Sequence, residues 1–161
     1  MTERTDPTIA QAGPGPGAAA PAGTLPAVAR TRPIARIWAT VDLERAAAEL
    51  GLRPEPLADD PLLGAAVRLV RPPGEIPIAL LEPITEGRLA ATLAKHGEGP
   101  AGQYVEALDG LASVRSVADR NRPAVSRPAN GPFGPALLLL GGPVAGPHLV
   151  LVETRAGTID R

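Results

Sequence analysis

The chain has no cysteine, one lysine, two histidines and three aromatic residues (Trp38, Tyr104 and Phe133) among its 161 residues. The missing cysteine excludes disulfides, a thiolate nucleophile and zinc-finger ligation. No apolar run approaches the roughly 20 residues of a membrane span; the best is Ala136–Leu140. A secretory signal needs a basic start and an unbroken apolar stretch, and Ala18-Ala19-Ala20-Pro21-Ala22-Gly23 is not one. A cytoplasmic protein without a membrane partner is therefore expected. The formal net charge of −1 gives no case for nucleic acid as a partner. Fifteen arginines to a single lysine, beside so much Ala, Gly and Pro, fits a bias in nucleotide composition rather than selection for guanidinium chemistry.

What the chain does have is 20 Pro and 18 Gly, close to the level at which low-complexity disorder becomes the default. Against that stand 39 Leu, Ile, Val and Phe residues, about a quarter of the chain and enough for a core. Residues 1–33 hold six Pro and four Gly but only Ile9, Leu25 and Val28 as large aliphatics. They read as a disordered tail, because Pro removes donors and Gly loses most backbone entropy on ordering. Residues 155–161 read as a second, C-terminal tail.

Between the tails an order of elements recurs. Ile34–Val41 is a strand candidate, and Asp42 an N-cap for a helix carrying Leu43, Ala46, Ala47 and Leu50, with Gly51 as its left-handed stop. Ala65–Val70 and Ile76–Glu82 are strand-like runs around a Pro-Pro-Gly turn. Thr85 is placed to cap a second helix through His96. Then Gln103–Leu108 reads as a strand, Asp109 as a cap for a helix with Leu111, Val114 and Val117, and Ala136–Leu140 and His148–Glu153 as closing strands. From capping Asp to closing Glu is 40 residues in the first copy (Asp42 to Glu82) and 44 in the second (Asp109 to Glu153). Such a duplication suggests an α+β fold of two βαβββ modules, about 34–83 and 102–154, packed as a pseudo-symmetric pair.

Two such modules resemble the vicinal oxygen chelate superfamily, which includes glyoxalase I, bleomycin-resistance proteins and extradiol dioxygenases. The segment Ile78-Ala79-Leu80-Leu81-Glu82-Pro83, a helix, then Lys95-His96-Gly97-Glu98-Gly99 is similar to the pattern IELLEP … KHGEGLHH of methylmalonyl-CoA epimerases. Val41-Asp42-Leu43-Glu44 and Leu149-Val150-Leu151-Val152-Glu153 support it, and the resemblance covers about residues 34–154. It implies a curved, eight-stranded, glyoxalase-like cleft holding a divalent metal and an acyl-CoA or other small substrate. The family pattern puts metal ligands at four points, and these fall on Ala35, Ala79, Gly102 and Val150. None of these can coordinate through a side chain, so the expectation is a degenerate metal site with no metal and no cofactor.

Strand alternation places Ile37, Ala79, Leu81, Gly102, Tyr104, Glu106, His148 and Val150 on the face of the lost ligands. These are the candidate ligand-binding residues: an apolar wall with three polar groups, as small-molecule sites commonly have. Glu106, His148 and Tyr104 are also the catalytic candidates. A Glu in an apolar cleft has a raised pKa and can act as a base; equally, Glu106 can pair with an arginine such as Arg68, and His148 can be an exposed edge residue. Glu82 and Glu153, of opposite parity, are expected to point outward, with Trp38 packed under a helix and His96 at a helix end. Gly97-Glu98-Gly99-Pro100-Ala101-Gly102 matches a dinucleotide fingerprint only in spelling, since it ends a helix and opens a strand.

Three functions follow. The first is a metal-free protein binding a small apolar or acyl ligand, such as an acyl-CoA or an apolar natural product. The second is a metal-independent epimerase, isomerase or lyase using Glu106 with His148 or Tyr104. The third is a non-catalytic interaction module, with a homodimer as the partner to consider.

Overall fold

The structure, a computed structural model, describes residues 30–121 and 124–154. Eleven elements follow in chain order: β1 (Thr31–Ala39), α1 (Leu43–Glu49), β2 (Glu55–Pro56), β3 (Ala65–Val70), β4 (Ile78–Pro83), α2 (Arg88–His96), β5 (Gly99–Ala107), α3 (Gly110–Asn121), β6 (Ala129–Gly131), β7 (Gly134–Leu138) and β8 (His148–Val152). All eight strands join one curled mixed sheet in the order β2-β3-β4-β1-β5-β8-β7-β6. Read outward from the central antiparallel β1–β5 pair, each half repeats the other: β4 lies parallel to β1, and β8 parallel to β5. The duplicated order of the sequence is thus a pseudo-twofold in space.

Local chemistry explains most element ends. The carboxylate of Asp42 accepts from the amide of Arg45 at 2.9 Å, closing the first turn of α1. Gly51, at φ 64°, turns the chain out of the helix, a backbone conformation with little cost only without a Cβ. The face Leu43, Ala46 and Ala47 buries against Val70 and Leu80 on the convex side of the first half. On the second half α3 buries Leu111 and Val114 against Val105, Leu137, Leu149 and Leu151. Every residue of β8 is buried, because this strand is covered on both faces. Glu82 accepts from the amide of Leu43 at the start of α1, and Glu153 lies beside Gly110 at the start of α3, so both glutamates face the outer layer as their parity predicts.

Several expectations need correction. Of the stretch 1–33 expected to be a tail, Thr31–Pro33 instead belong to β1. Arg30 and Arg32 reach Asp109 and Glu106, and a register shift after Pro33 absorbs the donor that proline lacks. Residues 1–29 and 155–161 lie outside the described residues. Asp109 gives its carboxylate to Arg30 at 2.7 Å rather than to the helix behind it. Thr85 does not cap α2; Gly87 occupies that position without a side-chain bond. Trp38 is 40% exposed, since neither outer helix covers the outer face of β1 at that point. The second strand of each module, β2 and β6, spans two or three residues and carries no alternation to read.

Two features fix the junction between the halves. Glu98, between α2 and β5, accepts from Thr40 Oγ1 (2.6 Å), the Val41 amide (2.8 Å) and Arg45 Nη2 (2.6 Å). These donors, the Thr40 hydroxyl foremost, hold its carboxyl down at about 2. The second feature is Gly102, at φ 145° in β5, where an added Cβ would lie 1.9 Å from the carbonyl oxygen of His148 in β8. Gly99 has nearly the same φ, 147°, but nothing lies near its missing Cβ. Replacing Gly99 with Ala should therefore cost only backbone strain, on the order of 1–2 kcal/mol. Gly102→Ala should cost roughly 3 kcal/mol or more, because strain and overpacking add. Urea unfolding of the two variants checks this, and equal losses would show that the strand approach at Gly102 does not matter.

Candidate functional site

The concave face of the sheet is mostly filled. Ala35, Ile37, Ala39, Val67, Leu69, Ala79, Leu81, Tyr104, Leu138 and Val150 form one buried cluster with Leu63 and Leu89. The connection from β2 to β3 lays Leu62 and Leu63 over this face, and α2 adds Leu89 and Leu93. At the other end, where β1 begins and β3 finishes, the trough stays open as a cavity of about 760 Å³. Ile34, Leu57, Leu69 and Phe133 form its apolar wall, and Arg32, Arg71, Glu75, Asn130 and Thr154 are its polar lining residues.

The three polar candidates fall at different depths of this trough. Tyr104 is wholly buried at its centre, in register with Ala35 on β1 and Val150 on β8. Its hydroxyl donates to Asp60 Oδ2 at 2.6 Å, while Asp60 Oδ1 accepts from the amides of Leu62 (2.7 Å) and Leu63 (3.1 Å). Burial first, then the Asp60 charge, push the phenol well above its ordinary value. Phe133 meets the Tyr104 ring edge-on at 4.9 Å and separates it from the cavity, which it lines.

His148 is buried at the closed end rather than exposed on an edge. Its Nε2 lies 2.8 Å from Thr92 Oγ1, and that hydroxyl donates to the carbonyl of Arg88 at 2.9 Å. With the hydroxyl hydrogen so used, Nε2 carries the proton in this pair. Burial, and then the charge of Arg88, lower the pKa of the imidazole, so the folded protein favours the neutral ring.

Glu106 stands near the open end and pairs with Arg32, through Nε at 2.9 Å and Nη2 at 2.7 Å, not with Arg68. Arg68 instead turns to the carbonyl of Val67. The Thr154 hydroxyl also donates to Glu106, and it contributes most to lowering the carboxyl pKa, ahead of Arg32. Gly102 faces His148 and Glu106 faces Val152 in the β5–β8 ladder, four residues apart. That separates Glu106 from His148 by about 13 Å along the strands. The expected triad therefore comes as three separate hydrogen-bonded groups, each with its own partner.

The other candidate ligand-binding residues do not line the cavity. Ile37, Ala79, Leu81 and Val150 are packed in the buried cluster, and Gly102 touches the β8 backbone. The open cavity is instead lined by residues that sequence reasoning did not single out as ligand-binding. Asp60 is the most legible omission: Asp60-Pro61-Leu62-Leu63-Gly64 is a turn sequence, and a lone buried tyrosine needs an acceptor. Thr92, Arg32 and Phe133 had no comparable signal.

No protein-family profile matches the sequence, and no curated protein matches it. Solved structures do match its fold. A methylmalonyl-CoA epimerase from Mycobacterium tuberculosis is 18% identical with a TM-score of 0.61, covering 75% of this chain and 86% of its own. A variant of the Streptomyces coelicolor epimerase, solved with 2-nitronate-propionyl-CoA, is 21% identical with a TM-score of 0.62, covering 78% and 98%. A hypothetical protein from Bacillus halodurans is 18% identical with a TM-score of 0.62, covering 81% and 99%. The chain has a glyoxalase-like fold. The solved structures that share it include methylmalonyl-CoA epimerases.

Two outcomes are expected from the buried polar pairs. Tyr104→Phe leaves a buried carboxylate oxygen without its donor and should cost about 1–3 kcal/mol. A double-mutant cycle with Asp60→Ala should give a coupling within about 0.5–3 kcal/mol, and additive effects would dissolve the pair. For His148 the sign runs opposite to a salt-bridged histidine. The unfolded ring takes a proton first, near its ordinary 6.5, so the stability contribution is complete above that value. It is lost as pH falls through the lower folded value. Unfolding free energy should thus drop as pH falls below about 7, and His148→Gln, which keeps an amide donor for Thr92, should flatten that slope.

Proposed function

We propose that this chain binds a small apolar or acyl molecule in the cavity at the open end of its trough, without a metal. The observation that carries the reading is the cavity itself: about 760 Å³, with an apolar wall and a few polar groups at its rim, within the range of small-molecule sites. The acyl class draws support from structural relatives solved with acyl-CoA compounds.

The residues do not fit the divalent metal that the fold implies. Ala35, Ala79 and Val150 are buried and offer no donor atom, and at Gly102 the β8 backbone fills the space a ligating side chain would need. Among the described residues no three His, Cys, Asp or Glu are grouped to hold an ion. Tyr104 and Asp60 hydrogen-bond each other in the same part of the trough. The isomerase or lyase alternative relies on Glu106, His148 and Tyr104, and each of these hydrogen-bonds a different partner. Among the described residues no helix is long and apolar enough to cross a membrane.

A thermal-shift series with propionyl-CoA, octanoyl-CoA and aromatic natural products, run in EDTA, tests the reading. A ligand at a hundred times its Kd stabilises by about 2.7 kcal/mol, which raises the midpoint by several degrees. No stabilisation by any class would reject it. A stoichiometric divalent ion in the purified protein would overturn its metal independence.

A further inference from the structure

We infer that the cavity selects an amphipathic anion, with its apolar chain against Leu69 and Phe133 and its carboxylate or phosphate head on the guanidinium of Arg71. The inference rests on the cavity being the ligand site and adds the charge of what enters it. The acids around the opening are already committed. Glu75 lines the cavity but pairs with Arg36, and Glu106 is held by Arg32 and Thr154. Arg71 is different. Its contact with Glu55 runs through Nε alone at 3.5 Å, longer than the roughly 2.8 Å of a strong charge-assisted bond. Among the described residues its terminal nitrogens make no hydrogen bond. Its side chain is 51% exposed and lines the cavity. A guanidinium with its fork free is the group best shaped to take a carboxylate or a phosphate through two parallel bonds.

Position supports the same occupant. Leu69 and Arg71 are two residues apart and line the same cavity, so the apolar wall gives way to positive charge over about 7 Å along the chain. Across the opening, Asn130 from β6 brings an amide to the rim. A neutral apolar ligand would leave both rim groups unused. A cationic one would meet Arg71.

Calorimetric titration of the full chain with octanol, octanoate, octyl phosphate and octylamine separates the possibilities. Octanoate or octyl phosphate should bind at least about tenfold tighter than octanol, the gain of a charge-assisted bond. Octylamine should bind more weakly than octanol, and the tighter of the two anions names the head group. Arg71→Ala should erase the anion's advantage while leaving octanol unchanged, whereas Glu55→Gln, which frees Arg71 further, should widen it. If octanol binds and the anions bind no tighter, the charge selection is wrong while the cavity remains the ligand site. Loss of octanol and octanoate by the same factor in Arg71→Ala also defeats it. If none of the four binds, the cavity reading falls and the selection with it.

Discussion

The hydrogen bond from Tyr104 to Asp60 sets what the concave face can be. It joins the connection before β3, in the first half, to β5, in the second. It does so at the centre of the trough, where Tyr104 sits in register with Ala35 and Val150. A carboxylate there needs donors, and it has three: the phenol and the two amides of its own turn. Once those are made, the aliphatic residues around them close over the pair. The closed part of the trough and the position of its remaining opening both follow.

That closure divides two near-equivalent halves into unequal ends. At one end α2 and the β2–β3 connection pack down, and His148 and Thr92 bond to each other as buried groups. At the other, Phe133 stands on Tyr104 as the boundary between core and cavity. The polar groups with hydrogen-bonding capacity to spare lie at this second end, around the rim. A pseudo-symmetric scaffold thus ends in two unlike ways, one packed and one open.

Much of the scaffold was legible because its signals are local. Asp42 and Gly51 bracket α1 through first-turn and left-handed geometry that no distant residue can change. Alternation placed Tyr104, Glu106 and Val150 on one face because period two is built into the strand. Alternation, however, gives a face and not a depth, so it could not say that Ile37, Ala79 and Leu81 lie under a lid of leucines. Nor could it supply partners: Asp60 is 44 residues from Tyr104, Thr92 is 56 from His148 and Arg32 is 74 from Glu106. Those pairings come from the strand order. Asp109 misled for the same reason, since a distant arginine outcompeted the amides beside it.

The approach of β8 to Gly102 bears on which substitutions the chain can accept as much as on its stability. Three of the four points where a ligand would be expected hold residues that a single codon change could replace. The fourth cannot take any side chain until two neighbouring strands move apart, because the backbone of His148 already stands in that space. Substitutions elsewhere can retune the cavity side chain by side chain, but a side chain at position 102 requires the backbone to rearrange with it.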